Sequence, residues 1–245
     1  MKHGKRHVAK KRRRKPAPEA GKTTPGRFPV WDVPTRASHW AITVLFTFQF
    51  VTGHFGLGPG FLHIWAGYAL LVTVVFRIQW GLVGSESARF SHFLATPAAI
   101  RAYLARLPGP NPTRWPGHNP LGGLSVLIML ALLLAQGVTG LFVETWSELR
   151  GPLAERVGRD MVIFLTDLHG LLRWPLLVLV GIHLAAALFY RLRKGEDRVA
   201  AIFTHGRLEL DTDPGLANAG VTRALVVLAL SLGIVGAVIV FGPVD

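Results

Sequence analysis

Five long apolar runs alternate with polar connections along this chain, near residues 39–57, 64–83, 121–143, 170–190 and 223–242. Each approaches the about 20 residues that a helix needs to cross the hydrocarbon core of a bilayer. The pattern predicts an all-α integral membrane protein with the lipid bilayer as its main surroundings. A shorter stretch that includes Phe90, Phe93, Ile100, Tyr103, Leu104 and Leu107 predicts an amphipathic interfacial helix on the cytoplasmic side. Composition agrees, since 50% of the 245 residues are hydrophobic and only 17% are charged, too apolar a balance for an ordinary soluble domain.

Charge then orients the spans. The formal net charge is +13, but twelve of the 27 Lys and Arg residues precede His39. Residues 1–27 are basic, rich in Pro and Gly and without an apolar period, which predicts a disordered cytoplasmic tail. The first apolar run begins too late for a signal peptide, and the basic residues are not spread over a foldable nucleic-acid-binding domain, so nucleic acid is not an expected partner. Segments 84–119 and 191–222 carry Arg89, Arg101, Arg106, Arg191, Arg193, Arg198 and Arg207, whereas 58–62 has no Lys or Arg and 144–168 is net acidic. By the positive-inside rule the N terminus is cytoplasmic and the chain crosses five times, leaving Asp245 on the periplasmic side.

Besides His54, four histidines lie in or at the ends of the apolar runs: His39, His63, His169 and His183. An ionisable residue at membrane depth is costly and points to function. His169 and His183 are fourteen residues apart, close to four helical turns, so they share one helix face about 21 Å apart. With helix directions alternating, depth pairs His39 with His183 near the cytoplasm and His63 with His169 near the outside. Two isolated pairs cannot build a four-coordinate zinc site, but each supplies the two axial ligands of a haem iron. The chain has no cysteine, which excludes thiolate iron–sulfur clusters and covalent c-type haem. The expectation is two non-covalent, bis-histidine b haems.

The neighbours of these histidines carry further candidates. Gly67, Gly170 and Gly181 sit close to ligands, where they leave room for a macrocycle or serve close helix packing. Arg77 shares the face of His63 at the depth of the inner pair, and Arg173 is one turn from His169. Each is placed either to meet haem propionates or to snorkel to the interface. The runs QFVTGHF at 49–55 and QGVTGLF at 136–142 echo one another. They read either as helix ends or as a source of glutamines, Gln49 and Gln136, that orient a ligand imidazole or a propionate. His54 competes with His63 as outer ligand, whereas His92 and His205 read as solvated loop histidines. Polar residues near the inner pair include Arg36, His118 and Asn119, although Asn119 also suits a helix cap before Pro120. No Gly-rich phosphate loop, HExxH or GxSxG motif is present.

Four blocks, VWDVPTRASHW, HIWAGYALLVTVVFRIQWGLVGSESARFSHF, NPLGG and LHGLLRWPLLVLVGIHLAAALFYRLRKGEDRVAAIFTHGR, resemble in that order the prokaryotic cytochrome b561 family. The resemblance is nearest to the b-type cytochrome subunits of nickel–iron hydrogenases. It implies a four-helix transmembrane bundle over residues 28–207 that holds two haems through His39, His63, His169 and His183. It also implies a bacterial inner-membrane electron carrier that works between quinone and a periplasmic redox partner, whether hydrogenase, dehydrogenase or cytochrome c, with His118, Asn119 and Arg36 as the candidates to meet quinone near the inner pair. The segment 208–245, a linker and a fifth transmembrane helix, departs from the family pattern. Alternatives are a haem-containing scaffold or sensor without turnover, and a stand-alone superoxide:quinone oxidoreductase.

Overall fold

In the computed structural model, residues 26–107, 115–145, 150–195, 198–203 and 205–241 are described. Most of the expected tail and the C-terminal Asp245 therefore lie outside the described residues.

Helix α1, Val33–Phe55, starts where the Asp32 carboxylate accepts the Thr35 amide at 2.8 Å, with proline in the first turn. That is the cap chemistry a helix N-terminus requires. The second Asp32 oxygen accepts from Trp80 Nε1 at 3.1 Å, which ties the start of α1 to the end of α2, Gly60–Val83. The expected single interfacial helix divides into α3, Phe90–Phe93, and α4, Pro97–Arg106. The break falls at Thr96, whose hydroxyl caps a new helix at Ala99 N ahead of Pro97. Asn119 likewise caps α5, Pro120–Gly140, by accepting from Gly122 N at 2.7 Å. Helix α6, Arg159–Lys194, runs for 36 residues with Pro175 inside it. Short α7, Arg198–Phe203, precedes α8, Val221–Phe241.

Helices α1 and α2 form one hairpin and α5 and α6 another, joined by the contact of α2 with α5. Between the level of His63 and His169 and that of His39 and His183 the bundle is closed by buried Leu70, Val74, Leu133 and Leu176, with Ile42, Leu45 and Phe46 of α1 packed against them. Helix α8 packs along α2, where fully buried Ser231 accepts from Gln79 Nε2 at 3.1 Å. Its start is tied to the end of α2 by Arg223 donating to Val83 O, and its end to the opposite side of the bundle by Arg156 donating to Phe241 O. The two helices are therefore antiparallel.

Helices α2, α5, α6 and α8 are long and apolar enough to cross a membrane. Helix α1 has 23 residues, long enough, but its polar residues keep it out of that group. The hydroxyls of Thr43, Thr47 and Thr52 return to the carbonyls of His39, Thr43 and Phe48. Such back-bonding satisfies hydroxyl donors within the helix itself.

The ends of the bundle were less visible in the sequence. Strand β1, Gly26–Pro29, pairs antiparallel with β2, Arg207–Leu210, in the register Gly26↔Leu210 and Pro29↔Arg207. Gly26 and Arg27 thus belong to a strand rather than to the tail, and β2 runs past residue 207, where the core had been expected to end. Val30, Trp31, Ala201, Leu208 and Leu210 form a small core beside this ribbon. At the other end Glu144 and Arg150 form an isolated antiparallel bridge, with Arg150 donating to Glu144 and Glu155 at 2.8 Å each. These partners hold the Arg150 guanidinium above its ordinary range.

Candidate functional site

At the end of the bundle that bears Arg150, the imidazoles of His63 on α2 and His169 on α6 face each other with ring centroids 6.5 Å apart. They line a cavity of about 420 Å³ between the two hairpins, to which Gln49, Thr52, Gly53, Gln136, Gly140, Gly170 and Arg173 also contribute. That volume is in the range of cofactor pockets.

Both rings have their Nδ1 occupied. His63 Nδ1 lies 2.9 Å from Thr52 Oγ1. His169 Nδ1 lies 3.0 Å from the Gln136 carbonyl and 3.2 Å from Thr139 Oγ1. A carbonyl only accepts, so His169 Nδ1 carries the proton and its Nε2 presents a lone pair. The glutamines act on the backbone, Gln49 Nε2 donating to His63 O at 2.8 Å and Gln136 Nε2 to His169 O at 3.1 Å. Gln136 Nε2 also lies 3.2 Å from His169 Nε2. Sequence reasoning singled out the glutamines and passed over the threonines, because a Thr-Gly pair near a helix end looks like punctuation.

The glycines of the same motifs are cut to the rings. A Cβ on Gly53 would lie 2.7 Å from His63 Cε1, and one on Gly140 would lie 3.0 Å from His169 Cε1. Gly67 leaves space for the Gln49 amide, 2.8 Å from where its Cβ would be, whereas Gly170 and Gly181 border open space. Arg173 stacks its guanidinium 5.2 Å from the Trp174 ring, and its Nε is buried without a hydrogen-bond partner among the described residues. His54 sits on Phe50 at 5.1 Å, edge-on to Trp174 at 5.7 Å, at the exposed edge of the cavity.

At the other end, His39 and His183 are electrostatic neighbours, with Arg77 in the same group. The His39 ring is edge-on to Trp40 at 5.5 Å, and its Nδ1 is buried without a partner among the described residues. Arg77 is only 6% exposed and points at the Ala88 carbonyl 3.5 Å away, with Asp32 as its nearby counter-charge. His118 packs against Phe93 at 4.8 Å and Trp31 at 6.4 Å with its Nδ1 buried and unpartnered. Burial, and then the positive charges of Arg77 and Arg198, push this imidazole down to about 3. The other quinone candidates have structural work, since the Asn119 side chain caps α5 and Arg36 donates to the carbonyls of Ile202 and Phe203.

No group of three or more His, Asp or Glu among the described residues could hold a metal ion unaided. The donor set instead fits an iron whose equatorial ligands come with it. A metal held at about 2 Å from each of two imidazole nitrogens sets their ring centroids roughly 6 Å apart, close to the His63–His169 spacing. The open space at Gly170 and the buried Arg173 Nε fit a planar, anionic group in the same cavity.

A profile of the family described as prokaryotic cytochrome b561 matches residues 30–205. Similar proteins include the probable Ni/Fe-hydrogenase B-type cytochrome subunit of Azotobacter chroococcum mcd 1, 27% identical over 192 residues that cover 64% of this chain and 79% of that protein. The subunit of the same description from Rhizobium leguminosarum bv. viciae is 22% identical over 228 residues, 75% of this chain and 90% of its own length. No solved structure matches.

Proposed function

The chain belongs to the prokaryotic cytochrome b561 family, and on that premise we propose that it is a dihaem membrane cytochrome that passes electrons between the quinone pool and a periplasmic redox partner. The relatives' description as hydrogenase subunits favours a hydrogenase as that partner. Bound haem b supplies a one-electron iron couple, with the protein setting its position, potential and access. His63 and His169 hold the outer group and His39 and His183 the inner one. Arg173 meets the propionates of the outer haem, and Arg77 those of the inner. The observation that carries the proposal is the His63–His169 pair, at ligating separation and with Nδ1 of each ring already occupied.

Five crossings, with the N terminus cytoplasmic and the C terminus periplasmic in the bacterial inner membrane, follow from the loop charges and are supported by the antiparallel seating of α8 on α2. Satisfied threonine hydroxyls make α1 compatible with a crossing of its own, the first of the five. The side chains of Arg36 and Asn119 are engaged in structure, so His118 is the strongest of the three quinone candidates. Neutral at pH 7, its imidazole can accept a hydrogen bond from a quinol hydroxyl and so orient it.

Reduced-minus-oxidised spectroscopy of the purified protein with a quinol analogue tests this. Quinol should reduce the b-type absorbance, and His118→Ala should slow that reduction with both haems still bound. A wild-type protein that quinol leaves oxidised would defeat the proposal.

A further inference from the structure

The two hairpins carry the same device. On α1, Gln49, Thr52 and Gly53 surround His63 of α2, and on α5, Gln136, Thr139 and Gly140 surround His169 of α6. In both, the glutamine amide donates to the histidine carbonyl, the threonine hydroxyl meets Nδ1, and the glycine admits the ring edge. A Q-x-x-T-G run on the first helix of each hairpin therefore seats a histidine of the second. Building the same three contacts twice, from helices with different connections, points away from incidental packing.

Thr52 Oγ1 has one proton, and the Phe48 carbonyl, 2.9 Å away, can only accept it. The hydroxyl is then an acceptor toward His63 Nδ1–H. Thr139 repeats this, with its proton going to the Ala135 carbonyl at 2.8 Å. Each histidine is thereby held in the tautomer with a lone pair on Nε2, which on His169 faces the Gln136 amide nitrogen at 3.2 Å. An acceptor on Nδ1–H also raises the basicity of the ligating nitrogen, which favours the more highly charged oxidised iron. The pair is not equivalent, however. His169 has the Gln136 carbonyl as a second acceptor at 3.0 Å, whereas for His63 the hydroxyl of Thr52 is the acceptor.

We infer that Thr52 and Thr139 are positioning residues that act through His63 and His169 to hold the outer centre at a low redox potential, with Thr52 the more influential. This rests on the reading that the two histidines share one haem. Thr47 is a built-in control, since it lies on the same helix and its hydroxyl returns to the Thr43 carbonyl.

The test is a redox titration of haem-loaded protein, with haem content and low-spin electron paramagnetic resonance spectra recorded on each variant. Thr52→Val should retain two haems and raise one of the two midpoint potentials. Thr139→Val should raise the same one by less, Thr52→Ser should restore it, and Thr47→Val should leave both unchanged. Thr52→Ala, which cannot overfill the site, repeats the measurement if the valine variant loses haem. An unmoved outer potential in Thr52→Val or Thr52→Ala with two haems bound would overturn the inference. Failure of the underlying reading looks different, with His63→Ala and His169→Ala each retaining the full haem content.

Discussion

His63 and His169 face each other at a centroid separation of 6.5 Å with their ring planes 83° apart. The near-perpendicular setting is fixed from behind, because each Nδ1 is held by a different helix, α1 for His63 and α5 for His169. The histidines come from one hairpin each, so the pair depends on how the two hairpins are docked.

Gly53→Ala should displace the His63 ring, because the new methyl would fall 2.7 Å from Cε1. Haem content is expected to drop toward half, with the inner component unchanged in a redox titration. Gly140→Ala, at 3.0 Å from His169 Cε1, should have the same effect in milder form.

The two histidine pairs should fail separately. His63→Ala and His169→Ala are expected to remove one and the same redox component, and His39→Ala and His183→Ala the other. Potentiometric titration of the four variants checks this, and loss of a common component in His39→Ala and His169→Ala would break the pairing.

Asp32→Ala removes the α1 cap at Thr35 N and strands Trp80 Nε1, whose partner is the second carboxylate oxygen. A lost cap alone costs about 1 kcal/mol, and an orphaned buried donor adds a further 1–3 kcal/mol or so. Thermal unfolding in detergent should report a clear loss of stability, whereas Asp32→Asn, which can still cap, should lose less.

Acidification should weaken the His118 end of the bundle. The folded-state pKa is lowered to about 3, so between about pH 6.5 and about pH 3 the unfolded chain binds a proton that the folded chain refuses. Stability contributed by neutral His118 is complete above about pH 6.5 and is lost as pH falls toward 3. The size is on the order of 1 kcal/mol per pH unit across that window. His118→Gln should flatten the dependence of the unfolding midpoint on pH, and an unchanged slope would count against a buried neutral imidazole.

Much of the site was legible because helix rise turns sequence position into depth. Equal depth on neighbouring helices is enough to bring His63 toward His169, and a helical face is enough to carry Arg173 to the same cavity. The cap of α5 was legible too, since Asn119 directly precedes Pro120. What escaped was set by tertiary contact. Thr52 and Thr139 look like helix-end residues until an imidazole is seen beside them, and the four-residue strands β1 and β2 are too short to show an alternation. The Arg36 side chain was misleading for a different reason, since a cation near a cofactor site suggests a ligand, whereas its partners are the carbonyls of α7.

The number of haems per chain tests the account most directly. Two depth-matched histidine pairs and the absence of cysteine predict that a pyridine haemochrome assay on purified protein gives two b haems per polypeptide, both removed by acid–acetone. A value of one haem, or haem that stays with the protein through extraction, would contradict it.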